Sequence, residues 1–247
     1  MDPTPELVAH RGWNRREPEN TLPALAAALA AGARWLEVDV QLSADRVPVL
    51  FHDRTLERCT DRDGPVAELP ATELVMLPTG PAGARRADAT VPTLDAAVAL
   101  LARHPAARLF VELKRVSMER FGREAMLDAA LPALEAMRDR VTLISFDAEV
   151  LRMARSLGWE RLGWILETVD AFALAAAQAL DVPLLVADRE RFAGTHTVLP
   201  AGPWAWMIFA VDTAEEALAW GARGARYVET DDIGTLLAHP AFAEAGA

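Results

Sequence analysis

Two stretches of the chain alternate apolar and polar residues as a β-strand with one polar face does. In Trp35–Leu42, Glu37 and Asp39 alternate with aliphatic residues, and in Leu109–Lys114 the acidic residue among the apolar ones is Glu112. Side chains two residues apart on a strand share a face, so each stretch directs its charges to one side. If the three carboxylates converge, they offer the oxygen ligands that hard divalent cations prefer.

Short aliphatic runs alternate with Ala- and Leu-rich helical stretches along the whole chain. The predicted strands are Leu7–His10, Trp35–Leu42, Val47–Phe51, Leu109–Lys114, Val141–Ser145, Arg161–Leu166, Pro183–Ala187, Trp204–Phe209 and Tyr227–Thr230. The predicted helices are Thr21–Ala31, Thr93–Arg103, Arg120–Arg138, Ala148–Leu157, Val169–Leu180, Ala214–Trp220 and Ile233–His239. Such alternation is typical of a mainly parallel sheet. Close to eight β–α units predict an α/β fold, a single (β/α)8 TIM barrel over residues 1–247, with a doubly wound open sheet as the alternative.

Residues 54–91 interrupt the β–α alternation. They contain no long helical pattern, and glycine, proline and charged residues are frequent, as in Asp61–Pro65 and Pro78–Pro81. We interpret the segment as a small insertion after the second β-strand unit, with a short helix near Ala71–Leu77. Long irregular loops in compact domains are usually lids or binding loops.

Composition and charge exclude several classes of function. The chain has 247 residues, of which 52% are hydrophobic and 25% charged, as in ordinary globular proteins. A net charge of -11 argues against nucleic acid as a partner, because phosphate binding needs a basic surface. The single cysteine, Cys59, excludes an internal disulfide. The start of the chain is unlike a signal peptide, and no apolar run is long enough to span a membrane, so a cytoplasmic protein is expected.

Basic and imidazole groups accompany the acidic residues at the ends of predicted strands, where a barrel places its active site. His10 ends the first strand and His52 follows the third. Two histidines can act as general base and general acid near neutral pH. Arg11 can fork onto phosphate oxygens, and Lys114 can supply a point charge. Together with a cation, this set suits attack on an anionic phosphodiester.

Each of these residues also has a structural interpretation. Glu37 and Asp39 could form the solvated face of an antiparallel edge strand. Isolated histidines are more often structural than catalytic, and His104 and His196 are assigned to that group because their neighbours resemble loops. Glu112 could form an ion pair with the nearby lysine inside the barrel. The joint occurrence of two histidines and three carboxylates favours the functional interpretation.

On these residues the chain resembles the glycerophosphodiester phosphodiesterase family. The matching motifs follow the family order over essentially the whole chain: His10-Arg11-Gly12, Pro18-Glu19-Asn20-Thr21, Glu37-x-Asp39, His52-Asp53, Glu112-x-Lys114, Ser145-Phe146 and Thr230-Asp231. The chain departs from the pattern near its end. There Phe209–Asp212 replaces a usual Trp-Thr-Val-Asn, and Asp232-Ile233 follows Thr230-Asp231 without the usual proline. These departures concern substrate fit and leave the metal and histidine motifs intact.

The resemblance implies a role for each matching side chain. The implied site contains the cation ligands Glu37, Asp39 and Glu112, the acid–base pair His10 and His52, the phosphate-binding Arg11 and Lys114, and the supporting Glu19 and Asn20. Gln41 lies beyond the matching motif and is excluded. The implied cofactor is a divalent cation, Mg²⁺ or Ca²⁺.

The resemblance also implies a reaction, the hydrolysis of small glycerophosphodiesters to glycerol 3-phosphate and an alcohol. The substrate's 2-hydroxyl could attack to give a cyclic phosphate, or water activated at the cation could attack directly. Two other functions stay open. A related barrel phosphodiesterase acting on lysophospholipids or inositol lipids would need an apolar rim, for which Trp13, Trp204 and Trp206 are candidates. A barrel that only binds ligands is the other, and the complete residue set argues against it.

Overall fold

Eight parallel strands close into a barrel, and helices connect them. The computed structural model describes residues 4–192 and 198–243, so His196 lies outside the described residues. The strands are β1 (Glu6–Ala9), β2 (Trp35–Leu42), β3 (Pro48–Leu50), β4 (Pro78–Thr79), β5 (Arg86–Thr90), β6 (Arg108–Leu113), β7 (Val141–Ser145), β8 (Leu162–Leu166), β9 (Leu184–Asp188), β10 (Ala205–Phe209) and β11 (Ala225–Thr230).

The helices occupy most of the connections between barrel strands. They are α1 (Leu22–Ala30), α2 (Ala71–Leu74), α3 (Leu94–Ala102), α4 (Arg115–Phe121), α5 (Arg123–Leu134), α6 (Ala148–Ser156), α7 (Ala171–Leu180), α8 (Ala214–Ala222), α9 (Ile233–Leu237) and α10 (Pro240–Ala243). Short 3-10 helices cover Val66–Glu68, Glu135–Arg140 and Arg189–Phe192. Within the two described ranges, no helix combines the length and the apolar character needed to cross a bilayer.

The strand order confirms the predicted (β/α)8 barrel. Around the barrel the strands follow the order β1, β2, β6, β7, β8, β9, β10 and β11, and β11 pairs again with β1. All eight pairings are parallel. The carboxyl ends of the eight strands therefore surround one mouth, which is where barrel proteins carry their sites.

Aromatic side chains fill the barrel interior towards the amino ends of the strands. Trp35 stacks on Phe110 with ring centroids 5.2 Å apart, and Tyr227 meets both rings edge-on at 4.8 and 5.4 Å. Two positions further along each of these strands, on the same inward face, stands a glutamate: Glu37, Glu112 and Glu229. The interior therefore changes from an aromatic plug to a carboxylate layer as it approaches the mouth.

The predicted strand Val47–Phe51 forms, but it is not part of the barrel wall. It corresponds to β3, which pairs antiparallel with β2, so that Leu50 lies opposite Val40. A tight turn joins the two strands, and the backbone N–H of Phe51 donates to the carbonyl of Asp39. The hairpin therefore places His52, which follows Phe51, close to Asp39 on β2. It does not place His52 at the end of a ninth barrel strand.

The predicted helix Arg120–Arg138 is wrong as a single element. The segment forms α4, α5 and the 3-10 helix Glu135–Arg140. Gly122 separates α4 from α5 with φ +88°, a left-handed conformation that ends the first helix. Helical periodicity continues on both sides of the glycine, and the pattern alone therefore did not reveal the break.

Residues 54–91 fold against the barrel mouth with a small apolar cluster of their own. The segment contains α2 and the antiparallel pair β4–β5. The buried residues of the cluster come from this segment and from the β3 hairpin: Val49, Phe51, Leu56, Cys59, Val66, Ala71, Leu74 and Val91. This packing fixes the segment as one wall of the mouth.

Gly12→Ala is expected to destabilise the protein because the turn after β1 has no room for a Cβ atom. Gly12 has φ +82°, and a Cβ there would lie 2.6 Å from the backbone carbon of Ala24. Positive φ costs an L-residue roughly 1–2 kcal/mol, and overpacking adds about 1–3 kcal/mol. Equilibrium denaturation measures the loss in the free energy of unfolding.

The matched control for this prediction is Gly32→Ala. Gly32 also has positive φ, at +96°, but nothing lies within 4 Å of the position of a Cβ. The free energy of unfolding of Gly32→Ala should therefore fall by the cost of positive φ alone, without the added cost of overpacking. Equal losses in the two variants would contradict a close approach between Gly12 and α1.

Candidate active site

Three carboxylates converge at the mouth of the barrel as the alternating pattern predicted. Glu37 and Asp39 lie on β2 and Glu112 lies on β6, where it is the direct register partner of Asp39. All three are buried, and one carboxylate oxygen from each lies within 4.8 Å of the others. Such a group of hard oxygen donors can hold a divalent cation.

Basic side chains around the triad offset the negative charge of Asp39 more than that of Glu37 or Glu112. Asp39 pairs with Lys114 Nζ at 3.1 Å and with Arg11 Nε at 3.1 Å, and Lys114 Nζ also lies 2.9 Å from Glu112. Burial alone would raise the pKa of Asp39, but these two cations lower it overall. Burial raises the pKa of Glu37, and the neighbouring Asp39 adds to the effect. The pKa of Glu112 is also raised, chiefly by burial.

The chemistry of the donor set is compatible with a bound cation. Glu37 accepts a hydrogen bond from the backbone N–H of Arg11 at 3.1 Å, yet the net effect of its surroundings still disfavours its charged form. A buried carboxylate lacking enough positive charge is costly, and a bound divalent ion would supply that charge. Glu37, Asp39 and Glu112 would hold it.

The first loop of the chain orients Asp39 on the side away from Lys114. Asn20 Nδ2 donates to Asp39 Oδ2 at 2.8 Å, and Asn20 Oδ1 accepts from the Asp39 backbone N–H at 3.1 Å. Arg11 Nη1 donates to Glu19 Oε1 at 2.8 Å. The loop therefore places Arg11, Glu19 and Asn20 beside the triad.

His10 is held by a carboxylate from the last barrel strand. Its Nδ1 lies 2.7 Å from Asp231 Oδ1, which also accepts from Asn14 Nδ2 at 2.7 Å. Asp212 in turn accepts from the backbone N–H of Asp231 at 3.0 Å. Burial lowers the pKa of His10, but the hydrogen bond to Asp231 and the charge of Glu229 raise it overall.

His52 is held in the same way from the opposite side. Its Nδ1 lies 2.7 Å from Asp53 Oδ1. Arg58 binds the other oxygen of Asp53 with its Nε at 2.5 Å and also binds Glu19 with two nitrogens, at 2.6 and 2.8 Å. Gln41 Nε2 donates to the carbonyls on either side of His52, those of Phe51 and Asp53, at 2.9 and 2.6 Å.

The two histidines have pKa values shifted in opposite directions. Burial lowers the pKa of His52; the charge of Asp39 opposes this, but Lys114 and Arg11 lower the pKa further. His10, in contrast, has a raised pKa. Each ring directs its Nδ1 to a carboxylate, so Nε2 is the nitrogen not used in that contact. Opposite shifts in one site are typical of an acid and a base.

Two cavities open beside the triad. One of about 840 Å³ is lined by His10, Arg11 and Asp231 and extends to the insertion at Arg58 and Arg86. The other, of about 490 Å³, is lined by residues of the opposite side, including His52, Glu112, Lys114, Arg115 and Phe146. The site therefore has space on both sides of the triad.

The tryptophans considered as an apolar rim differ in burial and in their partners. Trp206 is buried, 3% exposed, and its Nε1 donates to the Pro200 carbonyl. It packs edge-on against Phe192 and Trp204. Trp13 is half-buried, with its Nε1 bound to Asp232. Trp206 therefore offers no exposed surface to intact lipid, and an apolar rim that includes Trp13 or Trp204 stays a prediction.

No role was assigned from the sequence to four side chains that lie in the site. They are Asp53, Arg58, Glu229 and Asp231. Asp53 and Asp231 stood within the matching motifs, and Glu229 alternates with Tyr227 as Glu37 does with Trp35. The alternation in the last strand could therefore have identified Glu229. No local pattern marks Arg58.

Fold and site together define a (β/α)8-barrel protein with an acidic cluster and two carboxylate-bound histidines at the carboxyl ends of its strands. The model of the glycerophosphoryl diester phosphodiesterase family matches residues 10–183, well over half of the chain. The chain therefore belongs to this family.

Individual relatives match parts of the chain. The "Probable glycerophosphodiester phosphodiesterase 1" of Mycobacterium tuberculosis is 35% identical over 165 residues, which cover 58% of this chain and 57% of that protein. Glycerophosphodiester phosphodiesterase 1 of Mus musculus is 39% identical over 102 residues, which cover 39% and 30%. The matched segment spans less than two thirds of either relative.

Solved structures match nearly the whole barrel. An Oleispira antarctica phosphodiesterase in complex with its product sn-glycerol-3-phosphate has a TM-score of 0.80 and 26% identity, and the match covers 94% of this chain and 95% of that one. Glycerophosphodiester phosphodiesterase from Agrobacterium tumefaciens has a TM-score of 0.76 and 26% identity over 95% and 100% of the two chains.

Proposed function

We propose that the protein hydrolyses glycerophosphodiesters to glycerol 3-phosphate and an alcohol with the help of a divalent cation. The observation that carries this proposal is the triad, whose oxygens lie within 4.8 Å of one another, between two histidines held by carboxylates. The names of the relatives and the product in the Oleispira structure support it. The cytoplasmic location expected from the sequence stays a prediction.

The phosphate group would lie over Glu37, Asp39 and Glu112. Mg²⁺ or Ca²⁺ held there would neutralise phosphate charge and polarise the P–O bonds. Arg11 and Lys114, each lining one of the two cavities, would bind phosphate oxygens from either side. We also infer that residues 54–91 form an insertion within a single domain and shape the pocket for one end of the substrate.

The histidine environments support an order of proton transfers. His52, with its lowered pKa, would take the proton of the substrate's 2-hydroxyl, whose oxygen then attacks phosphorus. His10, with its raised pKa, would give a proton to the oxygen of the departing alcohol as its P–O bond breaks. Water would open the resulting cyclic phosphate with the two roles exchanged, which leaves glycerol 3-phosphate.

The rate is expected to have a plateau around pH 6.5, between the lowered pKa of His52 and the raised pKa of His10. His52 must be neutral, so activity falls as pH drops below its lowered pKa. His10 must be protonated, so activity also falls as pH rises above its raised pKa, which lies above the ordinary value of 6.5. Asp231→Asn replaces the charged acceptor of His10 Nδ1 by a neutral one, which should lower the pKa of His10 and move the alkaline limb to lower pH. Profiles of kcat/KM at fixed cation concentration measure both limbs, and an alkaline limb that does not move would contradict the assignment.

The proposed function is tested by product release. The purified protein is incubated with a panel of glycerophosphodiesters that differ in headgroup, and with lysophospholipids carrying the same headgroups. Mg²⁺, Ca²⁺ and excess EDTA are compared, and glycerol 3-phosphate is quantified. Release from the deacylated substrates that EDTA abolishes is expected. Turnover of lysophospholipids alone, turnover insensitive to EDTA, or no turnover with either cation would contradict the proposal.

A further inference from the structure

Glu229 is a buried carboxyl group for which the proposed reaction has no use. It lies on β11, is 3% exposed, and its Oε1 has no hydrogen-bond partner among the described residues. An unpaired buried carboxylate is costly. Most buried polar groups in folded proteins have partners, so a carboxyl group kept in this position needs an explanation.

The barrel places Glu229 in the carboxylate layer beside the triad. Strands β11 and β2 flank β1 on its two sides. Tyr227 contacts Trp35 in the aromatic plug, and the next inward residues on these two strands are Glu229 and Glu37. The charge of Glu229 acts on Glu37 and that of Glu112 on Glu229, in each case raising the pKa of the group acted on. Glu229 therefore belongs electrostatically to the same cluster.

Among the described residues, no protein group forms a hydrogen bond with Glu229 Oε1. His10 is close enough to interact with it, but its Nδ1 is bound to Asp231. Within the described part of the chain, Glu229 forms no ion pair with an arginine or lysine. Nor does it belong to the group of oxygens that lie within 4.8 Å of one another. A positive charge bound near the triad would offset the negative charge of this carboxylate.

We propose that Glu229 is a fourth carboxylate of the cation site and holds the hydrated cation from the side of His10. The inference rests on the proposed function, since it requires that the triad binds Mg²⁺ or Ca²⁺. Within the carboxylate layer, Glu229 comes from β11, on the other side of β1 from the β2 residues Glu37 and Asp39. There its negative charge would stabilise a cation bound by the triad.

The test compares cation affinity with the stability of the cation-free protein. Glu229→Gln keeps the shape of the side chain and removes its charge. The variant should bind Mg²⁺ and Ca²⁺ about 10–100-fold more weakly, the range typical of groups that orient ligands around a metal. Without cation it should be as stable as the wild type or more stable, because a buried unpaired charge has been removed. Isothermal titration calorimetry and thermal unfolding with and without cation measure the two effects.

Two further variants make the test specific. Asp188→Asn removes a carboxylate from the end of β9, which lies across the barrel from β2 in the strand order, and should leave the affinity unchanged. Glu229→Asp keeps the charge and should retain more of the affinity than Glu229→Gln does. It also serves as the charge test if the glutamine variant does not fold.

The outcomes separate this inference from the proposed function. Equal affinities of wild type and Glu229→Gln would overturn the role of Glu229 alone. An equal loss in Asp188→Asn would do the same, because it would show an unspecific effect of net charge. A wild-type protein that binds neither cation would overturn both the cation site and the fourth carboxylate.

Discussion

Glu37→Gln is expected to abolish cation-dependent turnover, lowering kcat by about three orders of magnitude or more. The substitution keeps the size of the side chain but removes one of three anionic ligands from a buried site. A Lewis acid contributes several kcal/mol to such a reaction, and about 1.4 kcal/mol corresponds to a factor of ten in rate. Glycerol 3-phosphate release over a range of Mg²⁺ and Ca²⁺ concentrations measures the loss.

The same variant should fold at least as well as the wild type without cation. Burial and the charge of Asp39 disfavour the ionised form of Glu37, so a neutral amide relieves an unfavourable interaction. Thermal unfolding in EDTA checks this. Glu6→Gln, at the exposed amino end of β1, is the matched control and should change neither property. Full activity in purified Glu37→Gln would refute the cation assignment.

His10→Gln and His52→Gln should each lower kcat by about 10²- to 10⁴-fold, the usual contribution of general acid–base catalysis. Cation affinity should be preserved in both, since neither ring is among the triad ligands. His104→Gln is the control: His104 is exposed beyond the end of α3 and should have wild-type activity. Steady-state kinetics and calorimetry separate these effects.

The two histidine variants should respond differently to the leaving group. Nitrophenolate, the leaving group of a nitrophenyl phosphodiester, is a stable anion. Its departure therefore needs little help from a general acid. His10→Gln should therefore recover much of its activity on a glycerophosphodiester with a nitrophenol leaving group, whereas His52→Gln should not. Recovery by His52→Gln instead would reverse the assignment of acid and base.

The triad could be predicted from sequence because its geometry is local to two strands. Alternation places Glu37 and Asp39 on one face, and parallel pairing sets Asp39 beside Glu112. The partners of the histidines are different in kind. Asp231 is 221 residues from His10, and Arg58 is 39 residues from Glu19. Such contacts depend on barrel closure and on the path of a loop, which no periodicity encodes.

Departures in the fold have equally specific causes. β3 has the composition of a barrel strand, but a tight turn after β2 makes it antiparallel, so the chain contains one more predicted strand than the barrel uses. Gly122 divides a continuous helical pattern because its backbone adopts φ +88°. In both places the hydrophobic pattern predicted the correct type of element. The turn after β2 and the backbone conformation of Gly122 then determined how the elements are arranged.

Arg58 links the carboxylate that orients His52 to the carboxylate that holds Arg11. One guanidinium joins Asp53, which orients His52, to Glu19, which holds Arg11, and it does so from the wall of the larger cavity. A change in that wall that shifts Arg58 would disturb proton transfer and phosphate binding together. Variants selected for new headgroups at this wall should therefore gain selectivity and lose turnover in step, unless the Arg58 bridge is kept.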